Sequence, residues 1–189
     1  MVYISNPFKK HPIDLCCGKD QFRPFINYIY FIEGVAYASN ANVIMALSLT
    51  DIEADKQLID CINGFKMHYS DMQLMHSYEE LFPDNDGRIF LNEEKSRILQ
   101  LQHLEFNDQD KKYLKIIELI QKGTAELKTH SESISKIKIG LYLLQQIGES
   151  VGFLNSARFN FLNNPNRVLL EFDNYKKSFA VFMPMMDDV

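Results

Sequence analysis

From Phe25 to Leu49 the chain is dominated by β-branched, aromatic and small apolar residues, and a Glu33-Gly34 pair divides Tyr28 to Ile32 from Val35 to Ala38. Two apolar runs joined by a tight glycine-containing break predict a β-hairpin. The Asn40-Ala41-Asn42 break then sets off a third strand from Val43 to Leu47. Upstream, Pro7, Pro12, Gly18 and Pro24 interrupt any long element, which leaves Val2 to Ser5 as a short edge strand and little chemistry expected in residues 1–24. Beyond Leu49 the period changes. Ile52, Leu58, Ile59 and Ile62 share one helical face between Asp51 and Ile62, with Glu53, Asp55, Lys56 and Asp60 outside and Asn63-Gly64 as the stop. Phe65 to Tyr69 alternates like a strand, and Met72, Leu74, Met75, Tyr78 and Leu81 predict a helix running to Phe82.

Pro83 to Gly87 is a turn, followed by extended pieces at Arg88 to Leu91 and Ile98 to Phe106. Gln109 to Gln121 is the clearest helix, with Leu114, Ile117 and Ile120 inward and lysines outward. After the polar connector Thr124 to Ser135, a short extended piece from Ile137 to Ile139, a helix from Leu141 to Ile147 and strands at Ala157 to Leu162, Val168 to Phe172 and Phe179 to Met183 complete the pattern. The class this predicts is α+β with antiparallel, hairpin-connected sheet, in which a unit of strand, helix and hairpin recurs at about 65–106 and 136–184. The expected organisation is a lobe over 1–106, a helix and connector over 107–135, and a C-terminal unit over 136–189.

Composition narrows the function. With 189 residues, 46% of them hydrophobic and 24% charged, the chain has globular composition, and disorder and coiled coil are poor readings. The apolar-leaning run Gly34 to Thr50 is too short and too polar for a membrane span. The first residues lack a basic stretch and apolar core of the secretory kind, and the three cysteines form no disulfide framework; both point to a soluble, cytoplasmic protein with no membrane partner. A net charge of -5 argues against an indiscriminate coat on nucleic acid while leaving room for a local basic face.

Candidate chemistry is sparse. The run from Phe82 to Glu93 can be laid onto a calcium loop with Asp84, Asp86 and Glu93 as ligands, but Phe82 stands where the first carboxylate belongs, so an Asp-Gly turn before a strand is the better reading. His11, His68, His76, His103 and His130 form no zinc spacing, and the adjacent Cys16 and Cys17 splay apart. No phosphate loop, nucleophile elbow or Ser-Lys pair occurs, so neither an enzyme nor a cofactor is expected. Lysines gather between 111 and 138, at Lys111, Lys112, Lys115, Lys122, Lys128, Lys136 and Lys138; a helix face carrying several can meet phosphates or simply be solvated.

Two stretches carry a resemblance. Arg23-Pro24-Phe25 through Ala38-Ser39-Asn40-Ala41 resembles the proline-led strand, turn and following strand of bacterial DNA polymerase III beta-subunit sliding clamps. The end, Arg167 to Phe172 and Phe179 through Met183-Pro184-Met185, is similar to that family's final hairpin and closing Met-Pro-Met, and Ile137 to Leu144 resembles the entry to its last unit. The resemblance implies a DNA-clamp-like fold and a non-enzymatic, DNA-associated processivity or replication accessory factor, of a kind met in phage or mobile-element replication. It implies double-stranded DNA at Lys111, Lys112, Lys115, Lys122, Lys136 and Lys138, and a polymerase-type peptide at Met183, Pro184 and Met185. The chain is about half a clamp subunit long, so a ring would need further copies, and a homo-oligomer is expected. An interaction module that keeps the fold without encircling DNA is the alternative, with calcium binding as a third reading. The chain departs from the family in ending Met186-Asp187-Asp188-Val189 and in the acidic residues Glu53, Asp55, Asp60, Glu79 and Glu80 on expected helix faces.

Overall fold

A computed structural model describes residues 3–84, 86–104, 111, 114–115, 117–118, 140–152, 156–162 and 167–182. The predicted hairpin is formed by β2 (Tyr28–Ile32) and β3 (Val35–Ser39), turning through Glu33 and Gly34, both at positive φ, as a turn twisted to match its strands requires. β4 (Val43–Ser48) follows on β3, and on the other side of β2 lie β5 (Phe65–His68) and β9 (Gln102–His103). From the C-terminal part, β10 (Ala157–Leu162), β11 (Arg167–Phe172) and β12 (Phe179–Phe182) form a meander whose last strand pairs with β4, Phe179 opposite Ala46 and Phe182 opposite Val43. The result is an antiparallel eight-stranded sheet in the order β10-β11-β12-β4-β3-β2-β5-β9. A clip fixes the junction: one carboxylate oxygen of Asp51 accepts from the amides of Lys177 and Ser178 and the Ser178 hydroxyl, at 2.8–2.9 Å. A second sheet, β1-β6-β7-β8, is built from Ile4–Ser5, Glu80–Pro83, Arg88–Phe90 and Ile98–Gln100.

Alternation along the strands gives the large sheet two different faces. Ile29, Phe31, Ala36, Ala38, Met45, Leu47, Val168, Leu170 and Ala180 point into the main core, which α1 (Lys56–Ile62), α2 (Tyr69–Met75) and α3 (Leu141–Ser150) close with Leu58, Ile62, Met72, Met75 and Ile147. Tyr30, Tyr37 and Ala46 point the other way and form a second cluster with Ile117. The described residues between 111 and 118 are helical. That helix therefore lies on the sheet face opposite α1, α2 and α3.

Among the described residues the predicted strand order along the chain is observed, as is a helix followed by three antiparallel strands, after α2 and after α3, while the extended piece expected from Ile137 to Ile139 lies outside the described residues. Three expectations are corrected. The helix expected over Asp51 to Ile62 begins only at Lys56, with Asp55 as its N-cap (Oδ1 accepting from the Gln57 amide at 2.7 Å), because Glu53 sits at φ 55 in a turn that ends the β4 connection. The helix expected to reach Phe82 stops at Met75, and Leu81 and Phe82 are strand residues opposite Ile4 and Phe90. Leu81, Phe82 and Pro83 are all buried, so their run has no alternation to distinguish strand from helix, and pairing on both sides decides. The extended run from Ile98 is split: β8 belongs to the small sheet and β9 to the large one, with buried Leu101 at the switch donating its amide to Gly87 O.

Candidate binding cleft and basic surface

Beside the β3–β4 turn the surface opens into a cleft of about 360 Å³. Four separate segments wall it: the N-terminal strap and the 18–26 loop that continues it, through Asp14, Cys17, Lys19 and Arg23, the turn through Asn40 and Asn42, α2 through Gln73, and α3 through Tyr142 and Gln146. The loop is stiff. Asp20 accepts from the amides of Phe22 and Arg23 at 2.8 and 3.2 Å and pairs with the Arg23 guanidinium at 2.7 Å, while the Asn27 side chain exchanges two hydrogen bonds with the Asp20 backbone. The Arg23 guanidinium, with the Phe22 amide, holds the Asp20 carboxyl below the usual carboxylate range. Gln146 ties the floor together, donating to Leu15 O at 2.6 Å and to the Tyr142 hydroxyl at 3.0 Å and accepting from Asn40 Nδ2 at 3.2 Å. Tyr142 is 67% exposed, its neighbour Leu141 81%, and Phe22 in the loop 95%.

Under this floor lies a polar pair that the sequence reading missed, a buried Asp14 against a half-buried His76. Asp14 Oδ1 is 3.3 Å from His76 Nε2, outside hydrogen-bond geometry, and neither atom has another partner among the described residues. Burial raises the Asp14 carboxyl, against the attraction of His76 and a hydrogen bond from Gln73, and lowers the His76 imidazole, against the attraction of Asp14. His11, on the same strap, is also lowered by burial, opposed by a hydrogen bond to the backbone carbonyl of Ser150. A histidine held low in the folded state binds protons better when unfolded, so both contribute stability that is present above pH 6.5 and lost as the pH falls toward their folded values. Asp14, held high, works in the opposite sense in the window just above its ordinary value of 3.8. Urea midpoints are therefore expected to fall between pH 7.5 and pH 5.5, and a His11→Gln, His76→Gln variant to flatten the curve; an equally steep fall in the variant would remove the two histidines as its source.

The remaining candidates are distributed as follows. Cys16, Cys17 and Cys61 are free and buried, and burial pushes the Cys16 thiol up to about 12 and Cys61 to about 11, so neither is a thiolate ligand near neutrality. Asp84 accepts from the amides of Asp86 and Arg88 at 2.9 and 3.0 Å and from Arg88 Nε at 2.6 Å, and Asp86 takes Arg88 Nη2 at 2.7 Å. Burial works against the Asp84 charge, but these amides and the guanidinium outweigh it and hold the carboxyl below its usual range. Both carboxylates thus serve the turn and Arg88, while Glu93 is exposed. No described group of three or more His, Cys, Asp or Glu side chains is placed to hold a metal ion. Lys111 and Lys115 are exposed on the helix whose Ile117 packs under Tyr30 and Tyr37. Lys112, Lys122, Lys136 and Lys138, and Met183, Pro184 and Met185, lie outside the described residues. The chain leaves β12 at Phe182, opposite Val43, next to the cleft residue Asn42. No described helix is long and apolar enough to cross a membrane.

No protein-family model and no curated protein sequence matches the chain. Solved structures do. The DNA polymerase III beta subunit of Thermotoga maritima matches over 99% of this chain and 65% of its own, at 12% identity and a TM-score of 0.54. A sliding clamp, DNA polymerase III subunit beta, from Bartonella birtlesii, bound to griselimycin, matches over 98% and 66%, at 13% identity and 0.55. The beta subunit of Borrelia burgdorferi, in complex with a natural product, matches over 98% and 64%, at 10% and 0.53. The chain thus spans just under two thirds of the clamps it matches, and the resemblance borne by its two end motifs extends to the whole architecture: it has the fold of the bacterial DNA polymerase III beta-subunit sliding clamps.

Proposed function

We propose that this chain is a non-enzymatic, cytoplasmic, clamp-like protein that acts by binding double-stranded DNA as a processivity or replication accessory factor, assembled from more than one copy. The observation that carries the reading is the fold match over nearly the whole chain, with its uninterrupted eight-stranded sheet and helices α1–α3 packed on one face. Lys111 and Lys115 are the described members of the lysine set proposed for DNA. Non-specific contact of this kind is electrostatic and of about 10⁻⁴ to 10⁻⁶ M strength at physiological salt. Light scattering after gel filtration should give a mass above one protomer, and fluorescence anisotropy should show duplex binding at low salt that weakens steeply as salt is added. A strict monomer with no affinity for duplex or primed DNA would sink the function and leave the fold untouched.

A polymerase-type peptide is the second partner, supported by the position of the cleft. It adjoins the end of β12, which leads into Met183-Pro184-Met185, and it combines amide side chains with the exposed Tyr142. Such a surface suits an extended peptide with apolar anchors. Capture of a hydrophobic peptide that survives Met183→Asp would count against this assignment.

A further inference from the structure

We infer that the chain's own acidic segment, Met186-Asp187-Asp188, docks in the cleft beside the β3–β4 turn, so that a partner peptide has to displace it. The displacement rests on the peptide reading proposed above; the docking stands on the charge of the cleft and on where β12 delivers the chain.

Four charged side chains line the cleft, and three of them are already committed. The Arg23 guanidinium holds Asp20 at 2.7 Å, and Asp14, only 3% exposed, faces His76 with Oδ1 3.3 Å from Nε2. Lys19 remains. It is exposed and, beyond a longer-range attraction to Asp14, its described contact is the Tyr69 ring, whose centroid is 5.3 Å from the ammonium; it forms no ion pair among the described residues. The strap lysines do not change this balance, since Lys9 is paired with Glu79 and neither Lys9 nor Lys10 lines the cleft. Around Lys19 the lining is neutral, with the amide side chains of Asn42 and Gln73 and the apolar surface of Leu15, Ile26 and Tyr142. Such a surface takes an apolar anchor beside a carboxylate. Met186 is a side chain that fills irregular apolar gaps, and Asp187 or Asp188 supplies the counter-charge to Lys19 while the amides donate to its remaining oxygen.

β12 brings the segment to this place. Its last residue, Phe182, is paired with Val43, one position from the cleft-lining Asn42. In extended form the stretch 183–188 spans about 20 Å, enough to cross a cleft of about 360 Å³. A tether this short holds the segment at an effective concentration in roughly the millimolar range. A contact too weak to retain a free peptide is therefore occupied within the chain, and a separate peptide has to outcompete it.

The test is intramolecular cross-linking in the full chain. Gln73→Cys on the α2 wall is combined with Asp188→Cys, which leaves Asp187 for Lys19, and the effective concentration of the two thiols is measured in a glutathione redox buffer. The comparison pair is Glu33→Cys with Asp188→Cys, Glu33 being an exposed residue of the β2–β3 turn, at the far end of β3 from Asn40. The cleft pair should exceed the comparison pair about ten-fold or more. Lys19→Glu in the cleft pair should lower its value about three- to ten-fold, because an attraction becomes a repulsion. Cys16, Cys17 and Cys61 are buried and stay out of the exchange. Lys19, Glu33 and Gln73 are exposed, so thermal midpoints that match the parent's verify folding. Equal effective concentrations in the two pairs, or no response to Lys19→Glu, overturn the inference; a disulfide that joins two chains gives the cleft to a second copy and overturns it equally. No partner is present in this assay, so those outcomes leave the peptide reading standing. Conversely, a labelled hydrophobic peptide that fails to bind even the Asp187→Lys, Asp188→Lys chain removes the peptide reading, and the displacement with it, while the cross-linking result still decides the docking.

Discussion

Phe31→Ala is expected to cost about 4 kcal/mol, against a usual folding margin of roughly 5–15 kcal/mol for a domain. Phe31 lies on β2, inside the eight-stranded sheet, with no exposed surface; its ring meets the Phe8 ring edge-on at 6.0 Å, and its carbonyl accepts from the Gly64 amide at 2.8 Å. Truncation removes the transfer free energy of a benzyl group and leaves a void between the N-terminal strap and the sheet. The opposite residue, Ala36, is too small to fill it, and the strap cannot collapse onto the sheet while Asn6 is held by Met75 O and Tyr78 O at 2.9 and 3.0 Å. In a chain of this length the thermal midpoint should fall by about 8–16 °C. Phe22→Ala makes the contrast, because that ring is 95% exposed, and a change within about 0.5 kcal/mol is expected. Equal midpoints for the two variants would mean that the packing around Phe31 is wrong.

The same contrast shows what the sequence could and could not convey. Phe31 and Phe22 are one residue type, and their neighbours distinguish them: Phe31 sits in an apolar run before a Glu-Gly turn, Phe22 between Gln21 and Arg23 in a proline-punctuated loop. Local signals of that kind made β2, β3 and β4 legible, together with the meander at the C-terminus. Pairing between distant parts has no local signal. The union of β12 with β4, and the Asp51 clip that fixes it, join residues about 130 positions apart. The cleft was illegible for the same reason: Asp14, Asn40, Gln73 and Gln146 are unremarkable alone and meet only through the fold. One signal was present, since Asp14 is a lone carboxylate among Ile13, Leu15 and Cys16. For the lysines, helical spacing indicated that Lys111 and Lys115 face outward, but it could not tell which side of the sheet their helix covers.

Gly87→Ala should cost roughly 2–4 kcal/mol, although it adds one methyl group. The residue reads in sequence as the glycine of an Asp-Gly turn before a strand, and its requirement here is steric as well. Its φ is +67, where an L side chain is strained by about 1 kcal/mol, and a Cβ would stand 2.4 Å from Phe65 Cε1 and 2.6 Å from Cζ. The Phe65 ring cannot swing clear easily, being 8% exposed and 4.2 Å from the His103 ring across the β5–β9 pair. Gly34→Ala isolates the backbone share: φ is +75, but nothing lies within 4 Å of the added carbon, so about 1 kcal/mol is expected. The excess at Gly87 is then the clash with Phe65. It should shrink in a Phe65→Leu background, a coupling that a double-mutant cycle by urea denaturation reads directly. Additive costs in that cycle, or equal costs at Gly34 and Gly87, would show that the close approach between the β6–β7 turn and β5 does not hold the two sheets together.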